Sequence, residues 1–209
     1  PAGSSAARAA AEREMRVLLL DRRTEIGRPV QCAEYVPRLL GRLVELPPGC
    51  IAQATAALRT FLPGGDSHRM AAPGYLLQRS LWDKSLAVAA VRAGAELLVR
   101  TKALARTAAG LLLECGGERH EVGARVIIGA DGPRSTVGRW IGQQNTSLLA
   151  AAQCELVLDS PSDETQVYFA PDYVHGYAWL FPKGATANVG VGLAAQAAGA
   201  GGAARALAR

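Results

Sequence analysis

Two short segments near the start of the chain carry residues suited to binding a dinucleotide. Gly3 opens an alanine-rich stretch typical of a helix, and an apolar strand pattern over 16–20 ends at Asp21, which lies 18 residues after Gly3. Because Gly3 has no Cβ, its helix can pack closely on a strand while the helix N-terminus faces a pyrophosphate. The spacing is close to the roughly 20 residues that separate such a loop from the acid that binds a ribose.

These residues match the second half of a glycine-rich dinucleotide fingerprint, without its first strand and first two glycines. The chain also begins without Met, and we expect it to be an internal fragment of a dinucleotide-binding enzyme. The alternative to a nucleotide site is that these residues are only an alanine-rich helix after a glycine and an unrelated strand that ends in Asp, both of which are common.

Composition narrows the class of protein. The 209 residues are 49% apolar and 20% charged, as in an ordinary globular protein, and the net charge is +5. The arginines are scattered and are not interleaved with aromatic residues, which argues against a nucleic-acid partner. No apolar run approaches the roughly 20 residues of a membrane span. The histidines are isolated from one another, so we predict no metal site. The four cysteines form no Cys-x-x-Cys pair, and we expect them to be reduced thiols in a cytoplasmic protein.

The remaining pattern divides the chain into an α/β part and a β-rich part. In the first part, helices are expected over 4–13 and 80–93, with Gly94 ending the second helix. A hairpin is expected around Gly116-Gly117, and a buried strand over 126–130. Residues 38–74 are expected to be largely irregular, with short strands around Ile51 and over 59–62. The second part is predicted to hold strands over 148–158, 165–170, 177–181 and 187–193, and the tail from Ala194 is expected to start a helix or to fray.

Three further segments carry a family resemblance. Val126–Ser135 contains a strand pattern followed by Asp131-Gly132, which resembles the Asp-Gly motif of the p-hydroxybenzoate hydroxylase superfamily of flavin enzymes. Gly27–Glu34 contains Pro-x-x-Cys, and Tyr177–Gly184 contains Tyr-x-Trp-x-Phe-Pro, continued by Asn188–Gly192. Together these segments resemble the geranylgeranyl reductase family, whose members bind FAD and reduce isolated double bonds of isoprenoid chains.

The resemblance implies an α/β fold. It comprises an FAD/NAD(P)-binding Rossmann-like domain over 1–142, lacking its first strand and discontinuous in the parent protein. An inserted antiparallel β-sheet substrate domain begins at residue 143, and residues 143–209 are expected to be the start of that domain.

The resemblance also implies which residues contact FAD. By this resemblance Ala2 and Gly3 face the pyrophosphate, Asp21 binds the adenosine ribose, and Arg79 pairs with a phosphate. Cys32 and Ala33 offer backbone contacts to the cofactor, and Ala103 presents backbone groups to the adenine. Asp131 and Gly132 form the Asp-Gly motif, which supports the cofactor region. Tyr35 departs from the family pattern, because a small residue is expected shortly after the cysteine. We expect its bulky side chain to alter the loop over the flavin.

The implied substrate is an isoprenoid or lipid chain. Tyr177, Trp179 and Phe181 alternate onto one face of a strand that Pro182 is expected to end, and they can form an aromatic wall for such a chain. The alternative is that the three rings only pack the core. A lipid substrate also implies contact of a cytoplasmic protein with the membrane surface.

The reaction needs an electron donor and a proton donor, and the sequence leaves both open. NAD(P)H, ferredoxin and flavodoxin are all compatible electron donors. Cys32, Glu34 and Tyr35 are candidate proton donors or relays, and spacing does not select among them, so no catalytic residue is assigned.

Other function classes remain alternatives. A flavin monooxygenase or halogenase, or a quinone-reducing flavoprotein, of the same superfamily would share the cofactor residues. A truncated remnant without catalysis would act only as a basic binding module.

Because half of the dinucleotide fingerprint is absent, we expect residues 1–209 alone to bind FAD poorly and to show no turnover. The check is the absorbance spectrum of the purified chain. Stoichiometric flavin retained through purification would contradict this expectation.

Overall fold

A computed structural model of the chain describes residues 1–195 and 202–208. Within this part the chain forms two compact units. Unit 1 comprises Pro1–Val30 and Ser80–Thr146, and unit 2 comprises Gln31–Arg79 and the described residues from Ser147 onward. The expected boundary at residue 143 lies near one of these borders. Residues 31–79, which the motif order assigns to the first domain, instead group with the β-rich part.

The helices and strands are as follows. The helices are α1 (Ala2–Ala11), α2 (Leu40–Leu43), α3 (Arg79–Arg92), α4 (Thr136–Trp140) and α5 (Gly202–Leu207). The strands are β1 (Leu18–Leu20), β2 (Tyr35–Pro37), β3 (Ile51–Phe61), β4 (Ser67–Leu77), β5 (Glu96–Leu98), β6 (Thr101–Arg106), β7 (Gly110–Cys115), β8 (Glu118–Gly123), β9 (Leu149–Val157), β10 (Glu164–Tyr168), β11 (Tyr177–Lys183) and β12 (Thr186–Ala194). The tail expected from residue 194 lies partly outside the described residues.

Unit 1 is built on a short parallel pair of strands. β1 pairs with β5 in parallel, the arrangement expected of a Rossmann-like α/β fold. Buried alanines form the adjoining core: Ala7, Ala11, Ala90 and Ala95. Because these side chains are small, α1 and α3 can approach closely. The expected helices are confirmed, and Gly94 ends α3 with a φ of +106° and an N–H that donates to the Val91 carbonyl.

One expectation for unit 1 is wrong. The segment 126–130 forms no strand, and Val126 and Ile128 are 77% and 64% exposed. An apolar run of this length favours a buried strand only where a neighbouring strand offers N–H and C=O partners. Among the described residues, β1 and β5 form a two-stranded sheet, and neither of them pairs with this segment.

A separate three-stranded antiparallel sheet, β6-β7-β8, completes unit 1. Its second hairpin turns at Gly116 and Gly117, which have φ values of +60° and +92°, as the sequence predicts. β6 carries a register irregularity between Ala103 and Ala105.

Unit 2 is a seven-stranded sheet in the order β2-β4-β3-β10-β11-β12-β9. β10 pairs in parallel with β3, and the other pairs are antiparallel. The four strands expected after residue 143 are confirmed. The expectation of largely irregular structure over 38–74 is wrong, since β3 and β4 form a hairpin of two 11-residue strands whose turn contains Pro63-Gly64-Gly65. The two short strands expected in this range lie at the two ends of β3. α5 packs on β12 through Ala206 and Leu207 beside Val191 and Leu193.

Pro182 does not end its strand, contrary to expectation, because β11 continues to Lys183. Pro182 is paired in register with Ala187 of β12, whereas the pairing of β11 with β10 covers Ala178–Leu180. A proline is tolerated in a strand where its nitrogen faces no partner that requires an N–H. The strand can therefore present Lys183 from a regular backbone.

The described residues contain no helix long and apolar enough to cross a membrane. Nor do they bring together three or more His, Cys, Asp or Glu side chains in a way that could hold a metal ion.

The packing of Trp179 on Gly190 generates a stability prediction. A Cβ at residue 190 would lie 2.2 Å from Cζ2 of Trp179 and 2.8 Å from the carbonyl oxygen of Ala152. We expect Gly190→Ala to lower the free energy of unfolding by about 1–3 kcal/mol, because ring and backbone would both have to move. Urea unfolding followed by circular dichroism measures this change.

The matched control is Gly64→Ala, because a Cβ there meets no atom within 4 Å and the residue does not have a positive φ. Equal unfolding curves for the two variants would contradict the predicted packing.

Candidate functional site

The start of α1 and the segment before Asp131 lie next to each other in unit 1. A Cβ built on Gly3 would lie 3.3 Å from Cβ of Ala130 and 3.6 Å from Cδ1 of Leu19. Glycine therefore permits a close approach of helix, strand and the segment that leads into Asp131-Gly132. Ala2 occupies the first turn of α1, whose leading N–H groups have no helical acceptor. The fold thus brings Gly3 close to the segment that leads into Asp131, two motifs for which the sequence predicts cofactor contacts.

Asp21 follows the carboxyl end of β1, as expected. Its backbone N–H donates to the Leu98 carbonyl at 2.9 Å, and its carbonyl accepts from the Thr101 N–H at 3.0 Å. Its Oδ1 accepts the N–H of Arg23 at 2.8 Å, which fixes the carboxylate at the strand end. Since Thr101 begins β6, Asp21 is tied to the strand that carries Ala103.

The side chain of Asp131 supports the start of α4. Oδ2 accepts the N–H groups of Thr136 at 2.6 Å and Val137 at 3.3 Å, and Oδ1 accepts the Ser135 hydroxyl at 2.5 Å. Partial burial raises the pKa of Asp131, but these hydrogen bonds to the carboxylate outweigh burial, so its pKa lies below the ordinary value. The contribution of this carboxylate to stability is present above the ordinary pKa and is lost as the pH falls through the lowered one.

Gly132, which follows Asp131, has a φ of +85°, a conformation that L-residues with a Cβ rarely adopt. The Asp-Gly pair therefore has a structural explanation in unit 1: the carboxylate holds the helix start and the glycine makes the turn towards it.

In unit 2, side chains of the sheet hold the loop that carries Cys32 and Ala33. Nε2 of Gln153 donates to the Cys32 carbonyl at 2.9 Å, and Nδ2 of Asn188 donates to the Ala33 carbonyl at 3.1 Å. Nη1 of Arg79 lies 3.1 Å from Sγ of Cys32. The loop that was expected to offer backbone contacts is thus fixed by residues of β9 and β12.

Glu34 is the centre of this cluster. It is 2% exposed and has a φ of +70°. Its Oε1 accepts the Arg79 N–H at 2.8 Å, and its Oε2 accepts Nδ2 of Asn188 at 2.9 Å and also Nζ of Lys183. Its own carbonyl accepts the Leu77 N–H at 3.0 Å. A buried carboxylate needs a charged partner and several donors to offset its lost hydration, and Glu34 has both.

Arg79 was expected to pair with a phosphate. In the structure its backbone N–H is bound to Glu34 and its guanidinium lies beside the Cys32 thiol. The fold therefore joins Cys32, Ala33 and Arg79 in one cluster within unit 2. Ala2, Gly3, Asp21, Ala103, Asp131 and Gly132 belong to unit 1.

The three aromatic residues of β11 do not form one continuous ring stack. Tyr177 and Trp179 lie edge to face with centroids 6.0 Å apart, and Tyr177 also lies 6.0 Å from Phe169. Phe181 instead meets Tyr35 at 6.0 Å. The aromatic residues of the strand thus take part in two groups, one of three rings around Tyr177 and one pair of Phe181 with Tyr35.

Tyr35 packs on the sheet rather than standing free. A Cβ on Gly74 would lie 2.3 Å from its ring, so glycine at 74 makes room for the tyrosine. Its hydroxyl donates to the Ala72 carbonyl at 3.3 Å, and burial raises the pKa of this phenol. The bulky side chain is therefore accommodated against β4 and Phe181.

Sequence reasoning did not assign roles to Lys183, Asn188 and Gln153. Lys183 and Asn188 stand within or just after the Tyr-x-Trp-x-Phe-Pro segment. Lys183 could have been found from the sequence, because it is an ionisable residue directly after an apolar strand pattern. Gln153 had no comparable signal, because an isolated Gln in a strand is usually solvated.

The buried ion pair generates the next prediction. The Lys183 side chain is 6% exposed, and Lys183→Met would leave the Glu34 carboxylate buried without its cation. We expect the free energy of unfolding to fall by about 3–5 kcal/mol, measured by urea unfolding. The double variant Glu34→Gln with Lys183→Met should lose less than the sum of the two single variants, because it removes both charges.

The control is Glu12→Gln, which breaks the exposed pair of Glu12 with Arg8 and should change stability by less than about 0.5 kcal/mol. A Lys183→Met chain as stable as this control would refute the role given to the buried pair.

Curated proteins similar to this chain share one name. The chain is 39% identical over 221 residues to digeranylgeranylglycerophospholipid reductase of Methanosarcina acetivorans, covering 92% of this chain and 52% of that protein. It is 41% identical over 207 residues to digeranylgeranylglycerophospholipid reductase 1 of Methanopyrus kandleri, covering 92% and 55%. The chain therefore spans about half the length of the curated relatives it matches. No profile of a known protein family matches it.

Solved structures show the same relationship. A geranylgeranyl bacteriochlorophyll reductase-like protein from Thermoplasma acidophilum superposes with a TM-score of 0.88 at 31% identity, covering 99% of this chain and 58% of that one. A myxobacterial chondrochloren halogenase, described as a variant of FAD-dependent halogenases, superposes with a TM-score of 0.73 at 20% identity, covering 99% and 54%. The second likeness shows the fold alone. Over the residues that it spans, this chain is therefore similar in sequence and in fold to proteins that carry the names of geranylgeranyl reductases.

Proposed function

We propose that this chain is part of an FAD-dependent reductase that saturates isolated double bonds in isoprenoid chains of a glycerophospholipid. The observation that carries the proposal is the arrangement in unit 2. Glu34 ties the Cys32–Ala33 loop to Lys183, which stands two residues beyond Phe181 on the aromatic strand. A fixed polar loop therefore lies at the end of an apolar, aromatic strand. The names of the relatives supply the substrate class.

The residues of unit 1 fit the adenosine and pyrophosphate parts of FAD. The first turn of α1 offers N–H groups to an anion, and the glycine at position 3 lets that turn pack closely on Leu19 and Ala130. The Asp21 carboxylate, fixed at the end of β1, can accept hydrogen bonds from a ribose. Ala103 lies in the strand that begins beside Asp21. Bound there, FAD would supply the hydride of the reduction.

The aromatic strand fits the isoprenoid chain. Tyr177 and Phe169 are partly exposed beside the buried Trp179, so apolar ring surface remains available to a chain of methyl and methylene groups. Nε1 of Trp179 is buried and has no hydrogen-bond partner among the described residues. A buried N–H without an acceptor is costly.

Saturation of an alkene adds one hydride to one carbon and one proton to the other. Glu34 is unsuited to deliver that proton, because both of its oxygens accept hydrogen bonds, one of them from a lysine. Tyr35 donates its hydroxyl to a backbone carbonyl. Cys32 carries a partly exposed thiol, and its sulfur lies 3.1 Å from Nη1 of Arg79. Cys32 is therefore the proton donor that we propose.

The electron donor that reduces FAD is NAD(P)H, ferredoxin or flavodoxin in this proposal. The described residues favour none of the three. The relatives and the two cofactor motifs fit a reductase better than a truncated binding module, and the aromatic strand fits a lipid substrate better than a quinone.

The test uses the full-length polypeptide of which residues 1–209 are a part, because we expect residues 1–209 alone to show no turnover. This polypeptide is loaded with FAD, reduced with dithionite and given digeranylgeranylglycerophospholipid. Mass spectrometry should show products heavier by two hydrogen atoms for each double bond reduced. Cys32→Ser should slow this reduction roughly 100-fold, as expected for loss of a general acid, and leave the amount of bound FAD unchanged.

The matched control is Cys115→Ser, in β7 of unit 1, which should reduce the lipid at the wild-type rate. Absence of lipid reduction by the FAD-loaded wild type would contradict the proposed function. A wild-type rate in Cys32→Ser would contradict only the role of the thiol.

A further inference from the structure

The segment between β2 and β3 exposes two leucines on one turn of helix. Leu39, the N-cap residue of α2, is 60% exposed, and Leu43 at its end is 74% exposed. Leu39 has helical dihedral angles, φ −59° and ψ −29°, so the two leucines lie one turn apart and project from the same side. Neither the cofactor residues nor the aromatic strand explains this exposed apolar pair.

The turn is oriented so that its leucines point away from the sheet. A Cβ built on Gly41 would lie 3.7 Å from Cδ1 of Leu46 and 3.8 Å from Cε2 of Tyr75, so the Gly41 side of the turn faces the sheet. Residue 41 lies about 200° around the helix from residues 39 and 43. A surface helix normally buries its large apolar residues, whereas Leu39 and Leu43 are both exposed and no residue of α2 is buried.

Two cations stand beside the leucines. Arg38 and Arg42 are both exposed, are likewise one turn apart, and lie in the row next to the two leucines. Glu45 is exposed beyond the end of the helix. The protruding turn therefore combines an apolar tip with two positive charges, on a chain whose net charge is +5.

We propose that α2 is a docking surface for an anionic lipid bilayer, with Leu39 and Leu43 inserted among the acyl chains and Arg38 and Arg42 at the phosphates. Apolar side chains flanked by basic residues suit the boundary between headgroups and acyl chains. One turn of helix is far smaller than the roughly 800 Å² per partner of a stable protein interface. The choice of a lipid partner rests on the proposed function, since a reductase of lipid chains must reach a membrane.

The test is co-sedimentation of the 209-residue chain with vesicles of phosphatidylcholine alone and of phosphatidylcholine mixed with phosphatidylglycerol. Neither lipid carries an isoprenoid chain, so binding here does not depend on the proposed reaction. We expect binding to the mixed vesicles that weakens in high salt. Leu39→Ser with Leu43→Ser should weaken it at least tenfold, by about 1.4 kcal/mol or more. Arg38→Gln with Arg42→Gln should weaken it roughly tenfold on mixed vesicles and hardly at all on neutral ones.

Matched control variants change other exposed residues elsewhere. Leu81→Ser with Val88→Ser alters two exposed apolar residues of α3, and Arg106→Gln with Arg119→Gln removes two exposed cations from the β6-β7-β8 sheet. Both should bind mixed vesicles like the wild type. Circular dichroism of each variant establishes that it is folded.

Three results would overturn the proposal: no binding of the wild type to mixed vesicles, equal loss in the α3 and α2 variants, or a dimer in solution that the α2 leucine variant abolishes while vesicle binding persists. Vesicle binding through α2 without lipid reduction by the FAD-loaded protein would leave this surface standing and contradict the proposed function alone.

Discussion

The buried contact between Glu34 and Lys183 joins parts of unit 2 that are distant in the sequence. Lys183 ends β11, Asn188 lies in β12, and the Arg79 N–H belongs to the start of α3, yet all three donate to the same carboxylate. Taking both charges out of water is costly, and an apolar pair of the same volume would often be as stable. The ion pair instead serves to hold the loop in one position. A carboxylate with three directional donors fixes the loop at Cys32 and Ala33 more sharply than apolar packing would.

The same cluster explains why a residue with a large side chain adopts a positive φ at position 34. That conformation is uncommon outside glycine, asparagine and aspartate, and it is retained because the Glu34 carbonyl, N–H and carboxylate are all engaged. Strain of this kind tends to occur where a loop must hold one geometry. The aromatic strand that ends at Lys183 is thereby kept in a constant relation to the loop.

The structure of unit 1 depends instead on backbone segments that approach one another closely. Alanines at 7, 11, 90 and 95 form its core, and Gly3 admits Ala130. Few large side chains are buried there, so its order relies on small residues and on backbone hydrogen bonds around Asp21 and Asp131. These are the positions where a dinucleotide would find N–H groups and carboxylates that are already oriented. Unit 2, in contrast, buries Leu76, Leu77 and Val191 in its sheet.

Local patterns in the sequence determined much of this protein: the helices at 2–11 and 79–92, the strands after residue 148, the turns at Gly94 and Gly116-Gly117, and the family motifs at Cys32, Asp131 and Tyr177. These features depend on neighbours in the chain, through helical periodicity, strand alternation and glycine conformation. Only the tertiary structure decided that Arg79 lies beside Cys32, that Phe181 pairs with Tyr35, and that residues 126–130 form no strand. It also decided that residues 51–77 become a hairpin of the seven-stranded sheet, and that Glu34 meets Lys183 across 149 residues. Such outcomes depend on which distant segment supplies a donor, a counter-charge or a strand edge, and no local pattern carries that information.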